Sequence, residues 1–432
     1  MNKLKEQVFW ENGFHLHVIP NQKYKTIAFA AKFKAPLNKQ TITKRALMPF
    51  VLKQGTKTYP TRSKLQEQLD QLYGAVLSID SMKKGNQHIL SVRLEVANDK
   101  FISGESAVME DALDLLNEVI FHPHTANGSF DKSIVDREKE TLLQRIHALI
   151  DDKMSYANMR LVDEMCADEI YRLHVHGYEE DLNNITPDNL YQYYQEMLTD
   201  DQLDIYVSGD VDSELIKDKL TQYMERNTTS AQRGNDIDAA DVAKEHGNPR
   251  TVVEKQDVQQ AKLHLGYRTN ITYRDNDYFA LQVFNGMFGG FPNSKLFLNV
   301  REKHSLAYYA SSRIESHKGL LFVFSGIAPG DYEQAREIIE LQMQAMKQGD
   351  FTEEQIEETK GLIVNQLLET MDNQQGIIEL LYQQVAGKRE LSPDQLIEGI
   401  KQVTKDEIIR VAQKIELDTV YLLTTNGGKS DE

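Results

Sequence analysis

Two stretches of this chain read alike: ITPDNLYQYYQEMLTDDQLDIYVSGD at residues 185–210 and VTKDEIIRVAQKIELDTVYLLTT at residues 403–425. In the first, Thr186-Pro187-Asp188 is a helix start, with a threonine able to accept from the backbone of the first turn and a proline at the first helical position. The helix runs to about Leu198, and a strand at Leu203–Val207 closes on Ser208-Gly209-Asp210. In the second, Thr404-Lys405-Asp406 opens a helix and Thr419–Thr424 is the closing strand. A capped helix followed by a closing strand thus occurs twice, on the scale of a domain rather than of a solenoid repeat.

The residues before each stretch share a grammar too. In the first half, strands at Val8–Trp10 and Phe14–Ile19 flank Glu11-Asn12-Gly13, a hairpin signal. Thr26–Phe33 and Gln87–Val96 read as further strands, and Thr43–Leu52 and Ser63–Leu72 as helices. A long helical region runs from Ser106 to about Tyr171, broken at His122-Pro123-His124. In the second half, strands at Lys262–Tyr267, Ala307–Ile314 and Leu320–Gly326 accompany helices at Asp277–Met287, Asp331–Met346, Glu353–Met371 and Ile377–Val385. Between about Asn227 and Arg250 large apolar residues are scarce and turn formers abundant, the texture of a connection. The expected fold is α+β: two homologous domains, each an antiparallel-dominated sheet packed with a block of helices. Their expected extents are residues 1–228 and 251–432, with a linker at 229–250.

Composition narrows the function. The 432 residues are 40% hydrophobic and 27% charged, ordinary for a globular protein. A formal charge of −17 repels phosphate, so nucleic acid is not the expected partner. The opening MNKLKEQVFWENG has no apolar run, and the longest apolar stretch, around Gly319–Ala328, is too short to span a bilayer. A cytoplasmic protein without a membrane partner is the expectation. The single cysteine, Cys166, allows neither an internal disulfide nor a multi-cysteine zinc site, and its apolar helical neighbours mark it as a buried small hydrophobe.

The richest chemistry lies in MFGGFPNSKLFLNVREKHSLAYYASS, residues 287–312. This stretch resembles the glycine-rich loop and following segment of the insulinase/pitrilysin metallopeptidases, which include the mitochondrial processing peptidases. Ser294, Leu296, Phe297, Val300, Arg301, Glu302, Lys303, Leu306, Ala307 and Tyr308 stand in the family's places, and Ser305 replaces its usual glycine. NGFHLHVIPN, the segment GTKTYPTRSKLQEQLDQLYGA from Gly55, and the blocks from His174 to Asp212 are similar to other family segments, so the likeness covers nearly the whole chain.

The family's zinc motif is H-x-x-E-H, two histidines on one helix face with a glutamate as base, completed by a distant glutamate. Alignment on Gly55-Thr56 puts Ala46 and Phe50 at the histidines and Pro49 at the base. From Glu138-Lys139, which resembles the start of the third-ligand helix, the distant glutamate falls on Arg145. None of these four side chains ligates zinc or takes its water's proton. No cofactor is therefore expected on this chain. The resemblance implies that zinc belongs to a partner.

In paired members of the family a zinc-less chain complements a zinc-bearing one, supplying an arginine and a tyrosine seven residues apart that hold substrate. Arg301 and Tyr308 match that pair, and Gly289 and Gly290 match the loop beside which a peptide backbone passes. The implied function is a non-catalytic subunit of a zinc peptidase. It would pair with a homologous zinc-bearing subunit, or with itself, and bind peptide. The alternative is a peptide-binding or scaffold protein with no part in proteolysis. The pairs His15/His17, His122/His124 and His174/His176 invite a metal reading, but no third ligand stands at a recognisable spacing, so surface or loop histidines are expected.

Overall fold

The computed structural model describes residues 6–11, 13–103, 107–224 and 248–425. Asn12 of the hairpin turn and residues 229–247 of the expected linker lie outside the described residues. The chain divides into two compact units. One comprises Met1–His147, Leu173–Ala239 and Gln374–Glu379; the other comprises Ala148–Arg172, Ala240–Asn373 and Leu380–Glu432.

The first unit is built on strands β1 (Gln7–Glu11), β2 (Phe14–Pro20), β3 (Thr26–Pro36), β4 (Val76–Lys84), β5 (Gln87–Ala97) and β8 (Gln202–Gly209), in the order β1-β2-β8-β3-β5-β4. The short strands β6 (Thr125–Ala126) and β7 (Ser129–Phe130) pair separately. The second unit is built on β9 (Arg250–Lys255), β10 (Ala261–Arg268), β11 (Ala307–Glu315), β12 (Leu320–Ile327) and β13 (Glu416–Thr424), in the order β11-β12-β10-β13-β9. The closing strands of the two repeats occupy matching places. β8 runs parallel to β2 and antiparallel to β3, and β13 runs parallel to β9 and antiparallel to β10. All other strand pairs are antiparallel, so the sheets are antiparallel-dominated and packed with helices, as the sequence implies. Both repeat helices, Pro187–Asp200 and Lys405–Lys414, carry a reciprocal cap between their leading threonine and the third helical residue.

Each sheet is covered on two faces. In β12 alternate residues Leu321, Val323 and Ile327 enter the main core of the second unit. Leu320, Phe322 and Phe324 enter another cluster with Ala157, Leu161 and Met165 of the helix Lys153–Met165. That helix approaches β10 so closely that a Cβ at Gly266 would lie 2.6 Å from Met165 Sδ. The expected helical region Ser106–Tyr171 is thus three helices, Val108–Phe121, Lys132–Asp151 and Lys153–Met165. Asp152 breaks the last two apart by accepting from the amides of Met154 and Ser155. The third counts with the second unit, because its apolar stripe covers that unit's sheet.

In the first unit the segment Gln374–Glu379 combines buried Ile377 and Ile378 with polar anchors. Gln374 donates to the carbonyls of Ser208 at 2.8 Å and Thr26 at 3.2 Å, and accepts from the Thr26 hydroxyl at 2.9 Å. Fully buried Lys32 of β3 is ion-paired with Glu379.

A second buried cation fixes the helix Ile42–Leu52. Arg45 is 1% exposed. It is ion-paired with Asp201 at 2.6 Å, and it donates to Tyr193 Oη at 3.1 Å and to the Phe33 carbonyl of β3 at 2.7 Å. Burial disfavours the charged guanidinium, but Asp201 and Tyr193 outweigh it and raise its pKa further. Replacing Arg45 with Met leaves Asp201 buried without its main counter-charge, a loss of about 3–5 kcal/mol. We expect urea unfolding of the Arg45→Met variant to show that loss, and the double variant Arg45→Met/Asp201→Asn to recover part of it. A double variant no more stable than the single one would refute the pairing.

Candidate functional site

The glycine-rich segment begins where the helix Tyr278–Asn285 passes into a π-helical turn, Gly286–Gly290, and a second π-helical turn spans Phe297–Lys303. Such wide turns are rare and concentrate at functional sites. Both pack against β11, an outer strand of its sheet. Gly289 is buried, and a Cβ there would lie 2.6 Å from the amide and hydroxyl of Ser312 and 2.7 Å from Leu296. Its lack of a side chain therefore serves the seating of the turn on β11. Gly290 is exposed and borders Asn285, whose side chain accepts from the Ser312 hydroxyl at 2.8 Å.

Arg301 and Tyr308 sit on the elements that follow. The Arg301 side chain is 44% exposed, and its guanidinium lies 4.6 Å from the centre of the Phe297 ring, one turn earlier. Stacking on a ring orients an arginine while leaving its N–H edge open. Its contact with Glu302 is long, 3.6 Å. Tyr308 is 73% exposed. Ala307 pairs with Ile327 and Tyr309 with Gly326, so Tyr308 is the extra residue of a bulge. A bulge on an outer strand re-aims a side chain, and here it turns a large aromatic to solvent. Between them Ser305 takes φ +53°, the left-handed region, at the position where the resemblance expects glycine.

The four positions at which the resemblance places zinc chemistry lie in the first unit. Ala46, Pro49 and Phe50 share the helix Ile42–Leu52, and Arg145 lies on the helix Lys132–Asp151. The fold brings the last two together: the Arg145 guanidinium stands 5.9 Å from the centre of the Phe50 ring. Ala46 is buried, and Pro49 has no N–H for the Arg45 carbonyl one turn back. An apolar ring under a cation does not fit a divalent metal. Among the described residues no group of three or more His, Cys, Asp or Glu is arranged to hold one.

The histidine pairs have other company. His15 Nδ1 lies 3.2 Å from Asp204 of β8, and His17 is bonded to Glu6 at 2.7 Å with Asp204 at 3.5 Å on its other side. Burial lowers the His17 pKa, but Asp204 and Glu6 together outweigh it and carry it up to about 9. His174 stacks on Tyr178. His176 is held down at about 4 by burial and by the nearby Arg145. The meeting of Arg145 with Phe50 escaped the sequence reading, because the two come from separate elements.

Comparison with known proteins agrees with this geometry. Residues 184–362 match the family model described as the peptidase M16 inactive domain. Over all 432 residues the chain is 47% identical to the "Probable inactive metalloprotease YmfF" of Bacillus subtilis (strain 168), covering 100% of this chain and 99% of that protein. The chain belongs to the peptidase M16 family. It is an inactive metalloprotease homologue within it, and its residues at the zinc positions are not metal ligands. This M16 chain is also 26% identical to the "Uncharacterized zinc protease YmxG" of the same organism, over 73% of this chain and 71% of that one. The crystal structure of a conserved protein from Enterococcus faecalis V583 superposes with a TM-score of 0.88 at 35% identity, covering 98% of this chain and 100% of that one. Among the described residues no helix is long and apolar enough to cross a membrane.

Two measurements follow from the local geometry. A left-handed serine costs about 1–2 kcal/mol, and glycine gives back about 0.5–1 kcal/mol through its freer unfolded chain. Ser305→Gly should therefore stabilise modestly, and Ser305→Val should destabilise. The opposite order of urea midpoints would disprove the strain. For His17 the folded pKa lies above the unfolded one. Its stabilisation, on the order of 3 kcal/mol, is fully present below about pH 6.5 and is lost as pH rises through 9. Stability should fall across that window, and His17→Gln should flatten the fall. An unchanged slope in the variant would rule out His17 as its source.

Proposed function

We propose that this chain is the zinc-less, substrate-binding subunit of a heteromeric peptidase whose zinc sits on a homologous partner chain. The observation that carries this reading is the pairing of metal-incompetent residues at Ala46, Pro49, Phe50 and Arg145 with an exposed Arg301 and Tyr308 on adjoining elements of the second unit. Arg301, oriented by Phe297, offers a planar fork of donors to the carbonyls of an extended peptide. Tyr308, turned outward by the bulge, offers a hydroxyl to the oxyanion that develops at the scissile carbonyl. Gly290, exposed on the glycine-rich turn, leaves the backbone clear for a peptide to pass, and Gly289 keeps that turn close to β11. Zinc on the partner supplies the attacking water; this chain supplies grip and orientation. Support comes also from one organism, B. subtilis, having both an inactive relative and a relative named as a zinc protease. The same two residues serve a binding or scaffold protein if no zinc-bearing chain assembles with this one. The compartment assigned is the cytoplasm.

The test is to isolate the chain from its native cells, identify what accompanies it, and assay the assembly on unfolded peptides. A stoichiometric M16 homologue carrying H-x-x-E-H is expected. Arg301→Ala should then lower cleavage at least tenfold without preventing assembly, and Tyr308→Phe should lower kcat more than it raises KM. Recovery of this chain alone, or cleavage indifferent to both variants, would remove the peptidase reading and leave the scaffold one.

A further inference from the structure

A cavity of about 230 Å³ lies within the second unit. Tyr273, Tyr278 and Phe279 line it from the start of the helix Tyr278–Asn285 and the turn before it, and Leu367 and Leu396 line it from the helices Glu353–Met371 and Pro393–Gln402. Ser316, also on its wall, follows the end of β11, whereas Tyr308 stands near the beginning of that nine-residue strand. The strand puts roughly 25 Å between them. The aromatic wall is firmly held. The Tyr273 amide donates to the Ser316 carbonyl at 2.9 Å, and its own carbonyl accepts from Arg389 at 3.1 Å. Its ring meets Tyr278 edge-on with centres 4.8 Å apart, and stacks on His317 at 5.7 Å. A Cβ at Gly387 would collide with that ring, and one at Gly399 would lie 2.5 Å from Phe279. Rings pinned in this way cannot fold into the space, although a void in a packed interior costs stability in proportion to its volume.

Two polar groups on the wall have bonding capacity left over. Tyr273 is 2% exposed, yet its hydroxyl is bonded to no described residue. Burial, against the opposing Arg389, pushes its pKa up to about 12, so it keeps its proton at neutral pH and can donate. Gln383 accepts from His317 through its side-chain oxygen, and its amide N–H groups are bonded to no described residue. The Tyr278 hydroxyl, by contrast, is engaged by Gln282. Among the described residues no charged side chain lines the cavity. We propose that this cavity binds a small neutral aromatic molecule bearing one oxygen acceptor, its ring among Tyr273, Tyr278 and Phe279 and its oxygen on the Tyr273 hydroxyl. Aromatic rings favour edge-to-face company, which three ring neighbours supply. A cavity of about 150 Å³ holds a benzene, so this one holds a ring with one or two small substituents. A buried hydroxyl without a partner is costly, and a ligand oxygen relieves that cost. An ionised ligand would lose its hydration with no counter-charge to replace it. The space ends at about one substituted ring, so the occupant is a free molecule rather than a length of peptide. The site does not rest on the peptidase reading, which uses other residues.

The experiment titrates the full chain with p-cresol, p-xylene and p-toluate, which share a ring and differ in one substituent, and reads binding by calorimetry and by the shift in melting temperature. p-Cresol should bind, p-xylene at least threefold more weakly and p-toluate at least tenfold more weakly. Tyr273→Phe should bring p-cresol down to the affinity of p-xylene without lowering the melting temperature, because the hydroxyl it removes makes no bond. Leu380→Phe, which puts a ring into the space, should weaken p-cresol and p-xylene alike at least tenfold, and Arg301→Ala should change neither. Should Leu380→Phe fail to fold, Tyr273→Phe still decides. No saturable binding of p-cresol, equal affinities for p-cresol and p-xylene, p-toluate binding as tightly as p-cresol, or indifference to Tyr273→Phe would each overturn the site. Equally tight binding of N-acetyl-tyrosine amide would give the cavity to a peptide side chain and overturn the assignment to a free molecule.

Discussion

A guanidinium buried in the first unit organises the part of this molecule that distinguishes it. Arg45 reaches from the helix Ile42–Leu52 to the Phe33 carbonyl, the Tyr193 hydroxyl and the Asp201 carboxylate, so one side chain sets the helix against β3 and against the end of the helix Pro187–Asp200. A buried charge tolerates no slippage, because any displacement leaves it unsolvated and unmatched. That rigidity lets the helix carry Pro49, which deletes a backbone hydrogen bond in its interior. It also fixes where Phe50 and Lys53 stand. The helix that the M16 family uses to hold metal is positioned here by its own arginine.

The two units share a strand order but differ in how the second face of each sheet is closed. In one unit the cover is apolar, with Leu161 and Met165 against Gly266 and Phe322. In the other, buried Ile377 and Ile378 are joined by polar anchors, with Gln374 bonded to main-chain carbonyls and Glu379 paired with Lys32. Apolar cover tolerates sliding; a glutamine meeting two carbonyls and a salt bridge to a buried lysine do not. The polar anchors fix the cover of the first sheet in one register, and the altered metal positions lie on helices of that same unit.

Much of this architecture was legible in the sequence because its signals are local. The threonine caps at 186 and 404 identify helix starts, and the apolar runs of β3, β5 and β12 identify buried strands. The misses have local causes as well. β4, VLSIDSMKK, is an outer strand of half-buried residues without clean alternation. The helix Pro393–Gln402 announces itself only through Ser392 and Gln395, a capping box that the reading passed over. β9 falls at the end of a stretch whose composition reads as a connection. Which sheet the helix Lys153–Met165 covers is beyond any periodicity argument. A 3.6-residue stripe says that a face is buried, not against what.

The site divides along the same line. Arg301 and Tyr308 were visible as residue types at a spacing, but the features that make them available are three-dimensional: a ring one turn below the arginine, and a one-residue bulge under the tyrosine. The lost metal site was legible position by position, yet its meaning emerges only when those positions are brought together. Loss of a single ligand would leave a histidine or glutamate facing a vacant position. Here no such remnant stands at the four places. An aromatic ring faces an arginine instead. Abolishing zinc would not by itself need a cation at one of those places. A cation at the place of a metal-binding carboxylate repels the metal outright, so the chain differs from a site that has merely lost one ligand.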